Sequence, residues 1–468
     1  MKVLLVNPPR FNGIPVIRED RCENSDRDCI HPPTSLVYIG GVLKSEGYTV
    51  KLFDMNTNNS FWSALEGYMN LFEPDWIIFR STPSTFYEDI KVVDIAKKVS
   101  DNPVRKGLYH TLMLCWNLRA IPERVMKECK DLDVFLNEYH YEYAIPKIIE
   151  NFPSYSHSIY TKVNDIPLPA WDLVLDFHKF YTRTKWLSPW AVVRGSKGCP
   201  YRCGMCVDAN TGWFPRKPEL IVDELEYLVK DRGVKYISFF DNTFEINSDW
   251  CVAIADEIMR RNLKFKWFIN SRADLICKHG LDFFKTLRKA GCNGSSIGIE
   301  FGTDEMLRAS GKGISVEQGK EAIRILKQAG IKQYISTMMG YLGETKEQIL
   351  KTRDFIIETK PTGFQLNTVV PFSGTQLMYD AERLNLAGEK IDWRGLSCVP
   401  TDTIPVKLSN LETNELISLR KRIYRQIYTS GWFWNNLFGI RSFDDFRLGV
   451  GYALSSANRL KKGMDYSH

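Results

Sequence analysis

Between residues 190 and 375 the chain repeats one phrase six times: a short run rich in β-branched and aromatic residues, then a longer stretch with helical spacing. Strands are expected at Ala191 to Arg194, Tyr236 to Phe240, Lys264 to Ile269, Ser295 to Glu300, Gln333 to Met338 and Gly363 to Val369. Helices are expected near 217–231, 248–262, 280–290, 315–329 and 345–359, the fourth closed by Gly330 and the last opened by Glu344-Thr345. Strands joined through a crossover helix run parallel. Six such units predict a partial (β/α)6 barrel of TIM type, over residues 190–375, with its chemistry at the carboxyl ends of the strands.

The amino-terminal residues, 1–150, have the same alternation in another arrangement. Lys2 to Val6 reads as a buried parallel strand that ends at Asn7-Pro8-Pro9. A helix through SLVYIGGVLKSEGY stops at Gly47, and strands follow at Thr49 to Phe53, ending at Asp54, and at Asp75 to Phe79. Ile90 to Val99 is an amphipathic helix. This predicts an α/β, doubly wound, Rossmann-like sheet whose ligands lie beyond the carboxyl ends of its strands. A connector, 151–189, containing NDIPLPAWDLV, is too apolar to hang free. Residues 376–468 predict a mainly helical region, in which NLETNELISLRKRIYRQIYTSG is an amphipathic helix with a capping Asn or Thr at its start and Gly431 at its end. The aromatic segment GWFWNNLFGIRSFDDFRL that follows is either core or a docking surface.

A chain of 468 residues exceeds one ordinary core. Its net charge of +6 favours anions only weakly, and no basic stripe points to a nucleic-acid partner. No apolar run is long enough to span a bilayer, and MKVLLVNPPRF is too soon broken by proline to be a signal sequence. The expected location is the cytoplasm. Eleven cysteines, an odd number scattered along a long chain, argue for reduced thiols.

Three of those cysteines, Cys199, Cys203 and Cys206, fall within eight positions in SKGCPYRCGMC, in the loop after the first barrel strand. A structural zinc site wants four ligands, usually as two pairs, and the next cysteine, Cys251, lies in a predicted helix. Three thiolates suit a four-iron cluster with one iron left open. Incidental thiols or an unrecognised zinc site are the alternatives.

CPYRCGMC resembles the cluster motif of the radical S-adenosylmethionine enzymes. The resemblance implies a [4Fe-4S] cluster whose open iron is chelated by S-adenosylmethionine, which is cleaved to a 5′-deoxyadenosyl radical. It also implies a reductant, an electron donor such as flavodoxin or ferredoxin. Further segments are similar along the barrel: FFDNTF makes Asp241 the acceptor for the methionine amino group, and SRAD supplies Arg272, whose fork suits a carboxylate. SIGIEFGTDEMLRASGKGIS places Glu300 near the ribose or methionine, while MMGYLGET and PFSGTQL resemble the ends of the fifth and sixth strands. Tyr201 and Met205 in the cysteine loop complete the implied S-adenosylmethionine site. Taken singly, Asp241 and Glu300 can equally cap helices and Arg272 can belong to a surface pair. Two departures stand out. Met205 replaces a common aromatic, though a thioether packs on a π face for about 1 kcal/mol, and Tyr341-Leu342 stands where proline is common.

HPPTSLVYIGGVLKSEGYTVKLFDMN resembles the entry loop, first helix and second strand of the cobalamin-binding module found beside such barrels. The resemblance covers residues 1 to about 110 and implies cobalamin contacts from Asn7, Pro8, Thr34, Asp54, Arg80, Ser81 and Thr82. LYHTLMLCWNL replaces the Gly-rich turn expected after the fourth strand, and a domain that holds no corrinoid is the alternative. No Asp-x-His-x-x-Gly signature occurs; Asp176-Phe177-His178 lacks the glycine. Arg80 is the candidate beneath cobalt, since a guanidinium stays protonated and cannot coordinate; a surface or phosphate-pairing Arg80 is the other reading.

A radical generator beside a methyl carrier implies a methyltransferase acting on an unactivated carbon of a small molecule, peptide or protein, in a closed pocket. The rivals are a cobalamin-binding radical enzyme of rearrangement or cyclisation and a passive iron–sulfur protein. A methylthiolase is disfavoured because no second cysteine triplet occurs near the amino terminus; Cys22 and Cys29 are too isolated. Trp186, Gln365, Asn367 and the aromatic tail are expected to line the pocket.

Overall fold

The computed structural model describes residues 1–19, 24–25, 30–58, 61–101, 109–154, 166–181, 189–387, 391–396 and 406–432. Cys22, Cys29, Trp186 and the aromatic segment beyond Trp432 lie outside the described residues.

The amino-terminal sheet consists of β1 (Lys2–Asn7), β2 (Thr49–Asp54), β3 (Trp76–Arg80), β4 (His110–Leu114) and β5 (Val134–Leu136), all parallel, in the order β2-β1-β3-β4-β5. Its first three crossover helices are α1 (Thr34–Ser45), α2 (Trp62–Phe72) and α3 (Lys91–Ser100), and α4 (Tyr141–Asn151) follows β5. Both faces are covered, as the near-continuous apolar run Val3 to Val6 requires. Leu4, Val6, Ile77 and Phe79 enter one core, while Val3, Leu5, Trp76 and Ile78 enter the other. Register sets Asn7 beside Asp54 and Val6 beside Phe79, so the ends of β1, β2 and β3 form one edge.

The second sheet has six parallel strands, β6 (Trp190–Val193), β7 (Tyr236–Phe239), β8 (Lys266–Ser271), β9 (Cys292–Glu300), β10 (Lys332–Met339) and β11 (Gly363–Thr368). They are hydrogen-bonded in the order β11-β10-β9-β8-β7-β6, an open barrel in chain order. Outside it lie α5 (Pro218–Lys230), α6 (Ser248–Arg260), α7 (Ala273–Lys289), α8 (Val316–Gln328) and α9 (Lys346–Thr359). Strands β8 and β10 alternate between half-buried and buried residues along their whole length. The buried set packs under the helices. The other set, with Asn270, Ser296, Ser336, Met338, Gln365 and Asn367 in register, faces the open interior. The two expected pocket residues that are described therefore share that face.

Two expectations change. The third barrel helix starts at Ala273 rather than near 280, because ADLICKH is already helical before a break at Gly280 (φ 72°) that divides the element. The last described helices are α10 (Gln376–Arg383) and α11 (Thr413–Thr429); the residue before α11 is Glu412, which makes no side-chain cap, and the helix ends before Gly431. No Asn or Thr cap is present because Thr413 is already inside the first turn. α11 lies along the edge strand β11: the Leu366 N–H donates to the Tyr424 hydroxyl at 3.1 Å and Trp432 Nε1 to the Pro361 carbonyl at 2.9 Å. The helix thereby satisfies an edge that would otherwise be exposed. Among the described residues no helix is long and apolar enough to cross a membrane.

Candidate active site

The cysteine loop is clamped at its base. Ser196–Lys197 pairs antiparallel with Phe214–Pro215, and the loop between them is crossed by Cys199 N–H to Thr211 Oγ1 (3.1 Å), Thr211 N–H to Cys199 O (3.1 Å) and Asn210 N–H to Tyr201 O (2.7 Å). Gly198 makes this closure possible: it sits at φ +85°, and a Cβ there would stand 2.4 Å from the Gly212 carbonyl oxygen. At the tip, Cys206 N–H donates to Cys203 O at 3.0 Å, while Gly204 N–H reaches Ser310 O and Gly204 O accepts from Leu377 N–H at the start of α10. The tip is thus held by the fourth and sixth units of the barrel. Cys199 is buried and Cys203 and Cys206 are half-buried, and none of the eight described cysteines forms a disulfide.

Among the described residues no three His, Cys, Asp or Glu side chains are gathered so as to hold a metal ion. A zinc ion needs its ligands about 2.3 Å from one point, whereas a cubane takes its thiolates at separate corners. The donor set fits the cluster: three thiols on one loop, and a guanidinium, Arg272 Nη1, 3.6 Å from the Cys203 sulfur.

Arg272 follows β8, and its charge is directed by four neighbours. It lies 3.6 Å from the centre of the Tyr201 ring, donates from Nη2 to the Lys312 carbonyl at 2.7 Å and from Nε to Asp274 at 3.0 Å, and touches Cys203. Glu300, at the end of β9, is buried and in the left-handed region at φ +67°, a conformation that costs a non-glycine residue about 1–3 kcal/mol. One oxygen accepts from Lys312 Nζ at 2.8 Å; the other, Oε2, is buried with no hydrogen-bond partner. Such an acceptor, held in strain and half satisfied, suits an incoming donor such as an amino or hydroxyl group. Met205 is buried in the barrel core. The turn without proline is built by Glu344, whose carboxylate accepts from the N–H groups of Gly340 (2.6 Å) and Tyr341 (3.2 Å).

Asp241, the expected acceptor for the methionine amino group, lies two residues beyond β7. It is fully buried, and its oxygens accept from Gly195 N–H at 3.0 Å and Ser196 Oγ at 2.5 Å, immediately before the cysteine loop. Burial raises its pKa to about 6. In this arrangement Asp241 fixes where the loop leaves β6.

The amino-terminal sheet presents its carboxyl edge to the same region. Asn7 donates to Asp54 at 2.8 Å, and Asp54 also accepts from the Tyr181 hydroxyl of the connector at 2.7 Å, so these two hold each other and the chain. Pro8 O accepts from Arg18, which pairs with Asp89 in a fully buried contact at 2.8 Å. Thr34 stands at the start of α1 with its hydroxyl toward Pro32 O and Val192 O of β6. Arg80, Ser81 and Thr82 are buried together at the end of β3, and the Arg80 guanidinium lies 5.4 Å from the Tyr141 ring.

Residues that the sequence did not single out lie at the ends of β4 and β5. Asn117 Oδ1 and His140 Nδ1 are buried without hydrogen-bond partners, and Trp116, Tyr139 and His140 form an aromatic row that continues to Phe214 at the base of the cysteine loop. Burial lowers the His140 pKa to about 4, so its ring is neutral at neutral pH. Two orphaned buried polar atoms, on residues that touch Ser373 and Phe214 of the barrel, are what a large ligand with amide-bearing side chains would satisfy, so the residues present fit a corrinoid. The available signal was LCWNL itself, a Trp-Asn pair where a glycine turn is expected.

A buried ionic network joins the two domains around the loop. Arg194 Nη2 lies 2.8 Å from Glu19 and Nη1 donates to the Tyr141 hydroxyl, while Lys197 Nζ lies 2.6 Å from Glu142 and over the Tyr141 ring. Behind it, Glu224 gathers Arg216, the Tyr38 hydroxyl and Trp171 Nε1.

Residues 193–356 match the family model of the Radical SAM superfamily. An uncharacterized methyltransferase of Pyrococcus horikoshii is 25% identical over 453 residues, covering 92% of this chain and 92% of that protein. The anaerobic magnesium-protoporphyrin IX monomethyl ester cyclase of Rubrivivax gelatinosus is 25% identical over 395 residues, 80% of this chain and 69% of the relative. A solved structure of the radical S-adenosylmethionine methyltransferase TsrM from Kitasatospora setae, with cobalamin and a [4Fe-4S] cluster bound, aligns with a TM-score of 0.63 at 16% identity, covering 82% of this chain and 75% of that one. At that identity the likeness is one of fold, an open sheet followed by a partial barrel.

Proposed function

The barrel of this chain is that of a radical S-adenosylmethionine enzyme, and from that premise we propose that the protein is a cobalamin-dependent methyltransferase that methylates an unactivated carbon. The observation that carries the proposal is the convergence of the clamped cysteine loop with Arg272, Glu300 and the polar edge of the amino-terminal sheet. When bound, the cluster and S-adenosylmethionine supply a 5′-deoxyadenosyl radical, and cobalamin supplies a methyl group.

The chain's own residues do the rest by position. Cys199, Cys203 and Cys206 are the metal ligands. Arg272, fixed between Tyr201 and the Lys312 carbonyl, holds a carboxylate beside the loop. Glu300 Oε2 accepts from an amino or hydroxyl group, while Lys312 Nζ occupies the other carboxylate oxygen in a buried ion pair. Met205 would pack against the adenine of S-adenosylmethionine. On the other side, Arg80, Ser81 and Thr82, with Asn117 and His140, hold the corrinoid; Asn7, Pro8, Asp54 and Thr34 shape that edge. Arg80 would lie against a corrinoid held there without coordinating it, since a guanidinium stays protonated. The interior face of Asn270, Ser296, Ser336, Gln365 and Asn367 receives the substrate, and α11 seals the barrel beside it against solvent. An electron donor such as flavodoxin or ferredoxin serves the cluster.

Anaerobically purified protein, supplied with cobalamin, S-adenosylmethionine and a reductant, is expected to form both S-adenosylhomocysteine and 5′-deoxyadenosine and to carry corrinoid. Deoxyadenosine without S-adenosylhomocysteine would instead place the chain with rearrangement or cyclisation, a reading favoured by the likeness to the anaerobic cyclase. Neither product would refute both.

A further inference from the structure

Asp208 is a carboxylate two residues beyond Cys206 and 1% exposed. One oxygen accepts from Asn242 Nδ2 of the barrel at 2.9 Å; the other accepts from Trp116 Nε1 of the amino-terminal sheet at 2.7 Å. Its carbonyl receives the Thr211 hydroxyl, the same hydroxyl that accepts from Cys199 N–H. Asp208 is therefore tied into the wall of the cysteine loop, and one of its donors comes from the other domain.

That donor brings a charge with it. The Arg119 guanidinium lies 4.2 Å from the centre of the Trp116 ring, with Nη1 3.4 Å from the Trp116 carbonyl. Burial lowers the pKa of Arg119, and the charge of Asp208 is the first to oppose that lowering. The side chain is penned against Gly374, where a Cβ would stand 4.0 Å from Nη2.

A cluster on three thiolates is negative, and reduction adds a further negative charge. A buried carboxylate beside it opposes the incoming electron, and in a low dielectric the opposition is strong. Unlike Arg272, which lies within the barrel, Arg119 and Trp116 can offset Asp208 only while the two domains are docked.

We propose that Arg119 and Trp116 are positioning residues for the cluster, contributed by the amino-terminal domain: Trp116 hydrogen-bonds Asp208, Arg119 stacks on Trp116, and together they offset the Asp208 charge and make the one-electron reduction of the cluster easier. This rests on the reading of Cys199, Cys203 and Cys206 as cluster ligands. The coupling gives the amino-terminal sheet a task for the radical centre that is separate from carrying a cofactor.

The test is a redox titration of the anaerobically reconstituted full-length protein, with dithionite as the one-electron donor and the reduced cluster followed by electron paramagnetic resonance. Arg119→Gln is expected to lower the reduced-to-oxidised ratio at a fixed potential about tenfold, which is about 59 mV for one electron. Trp116→Phe should shift it in the same direction, and Arg119→Lys should stay at the wild-type midpoint. Iron content and thermal melting identify variants that have lost the loop, and the midpoint is read on the loaded fraction. A midpoint unmoved in Arg119→Gln, or moved equally by Arg119→Lys, overturns the proposal. Absence of any cluster in wild type overturns the cluster reading and this proposal with it; a normal cluster with an unmoved midpoint overturns this one alone.

Discussion

The Arg272 guanidinium is stacked 3.6 Å from the centre of the Tyr201 ring, joining the end of the third barrel strand to the middle of the cysteine loop. The stack leaves the edge of the fork pointing along the loop, where Nη1 meets the Cys203 sulfur. One side chain thereby touches the metal loop at two residues and offers a charge beside it.

Arg272→Lys keeps the charge and loses both the planar stack and the fork. A hydrogen bond to a charged partner contributes about 1.5–3 kcal/mol, so affinity for S-adenosylmethionine should fall at least tenfold, measured by equilibrium dialysis, with iron content close to wild type.

Glu300 and Lys312 form a buried pair at 2.8 Å. Removing one partner strands the other, at about 3–5 kcal/mol for pairs of this kind. Lys312→Met should therefore lower the melting temperature clearly. The double variant Glu300→Gln, Lys312→Met should recover much of that loss without recovering S-adenosylmethionine binding. Full additivity of the two single effects on stability would contradict the pairing.

How far the sequence alone led follows from what each signal depends on. The barrel strands and the first three strands of the amino-terminal sheet were legible because each is short, β-rich and bounded by helical spacing, and a parallel sheet buried on both faces leaves that mark; β4 and β5 were not marked as clearly. The cysteine loop was legible from spacing. Asp208, Lys312 and Asn117 were not, since each acquires its meaning from a partner distant in sequence: Trp116, Glu300 and the barrel. Asp241 was legible as important, but its position two residues past β7 could not tell that it accepts hydrogen bonds from Gly195 and Ser196. The early start of α7 escaped because Gly280 interrupts its periodicity.

Gly198→Ala should weaken cluster loading. The added Cβ meets the Gly212 carbonyl, and the backbone conformation is one that alanine adopts only at a cost of about 1 kcal/mol or more. Iron per chain after reconstitution is expected to drop while the melting temperature moves only a few degrees; undiminished iron would show that the clamp is not needed.

Burial raises the pKa of Asp54 from its ordinary value near 3.8 to about 6. The folded state then holds the proton more tightly than the unfolded one, so this carboxyl's contribution is most favourable below about pH 4 and is lost as pH rises to about 6. The difference is about 3 kcal/mol. Asp54→Asn should therefore gain in melting temperature relative to wild type between pH 4 and pH 7. A difference that stays constant over that interval would contradict the buried, proton-holding Asp54.

The central claim is that three thiolates on the clamped loop carry a four-iron cluster with one iron open to S-adenosylmethionine. It is tested most directly by the electron paramagnetic resonance spectrum of the dithionite-reduced, anaerobically reconstituted protein, recorded before and after S-adenosylmethionine is added. A cubane signal whose g values change on addition is expected, and it should be lost in Cys203→Ala. A protein with no cubane, or with a signal indifferent to S-adenosylmethionine, would contradict it.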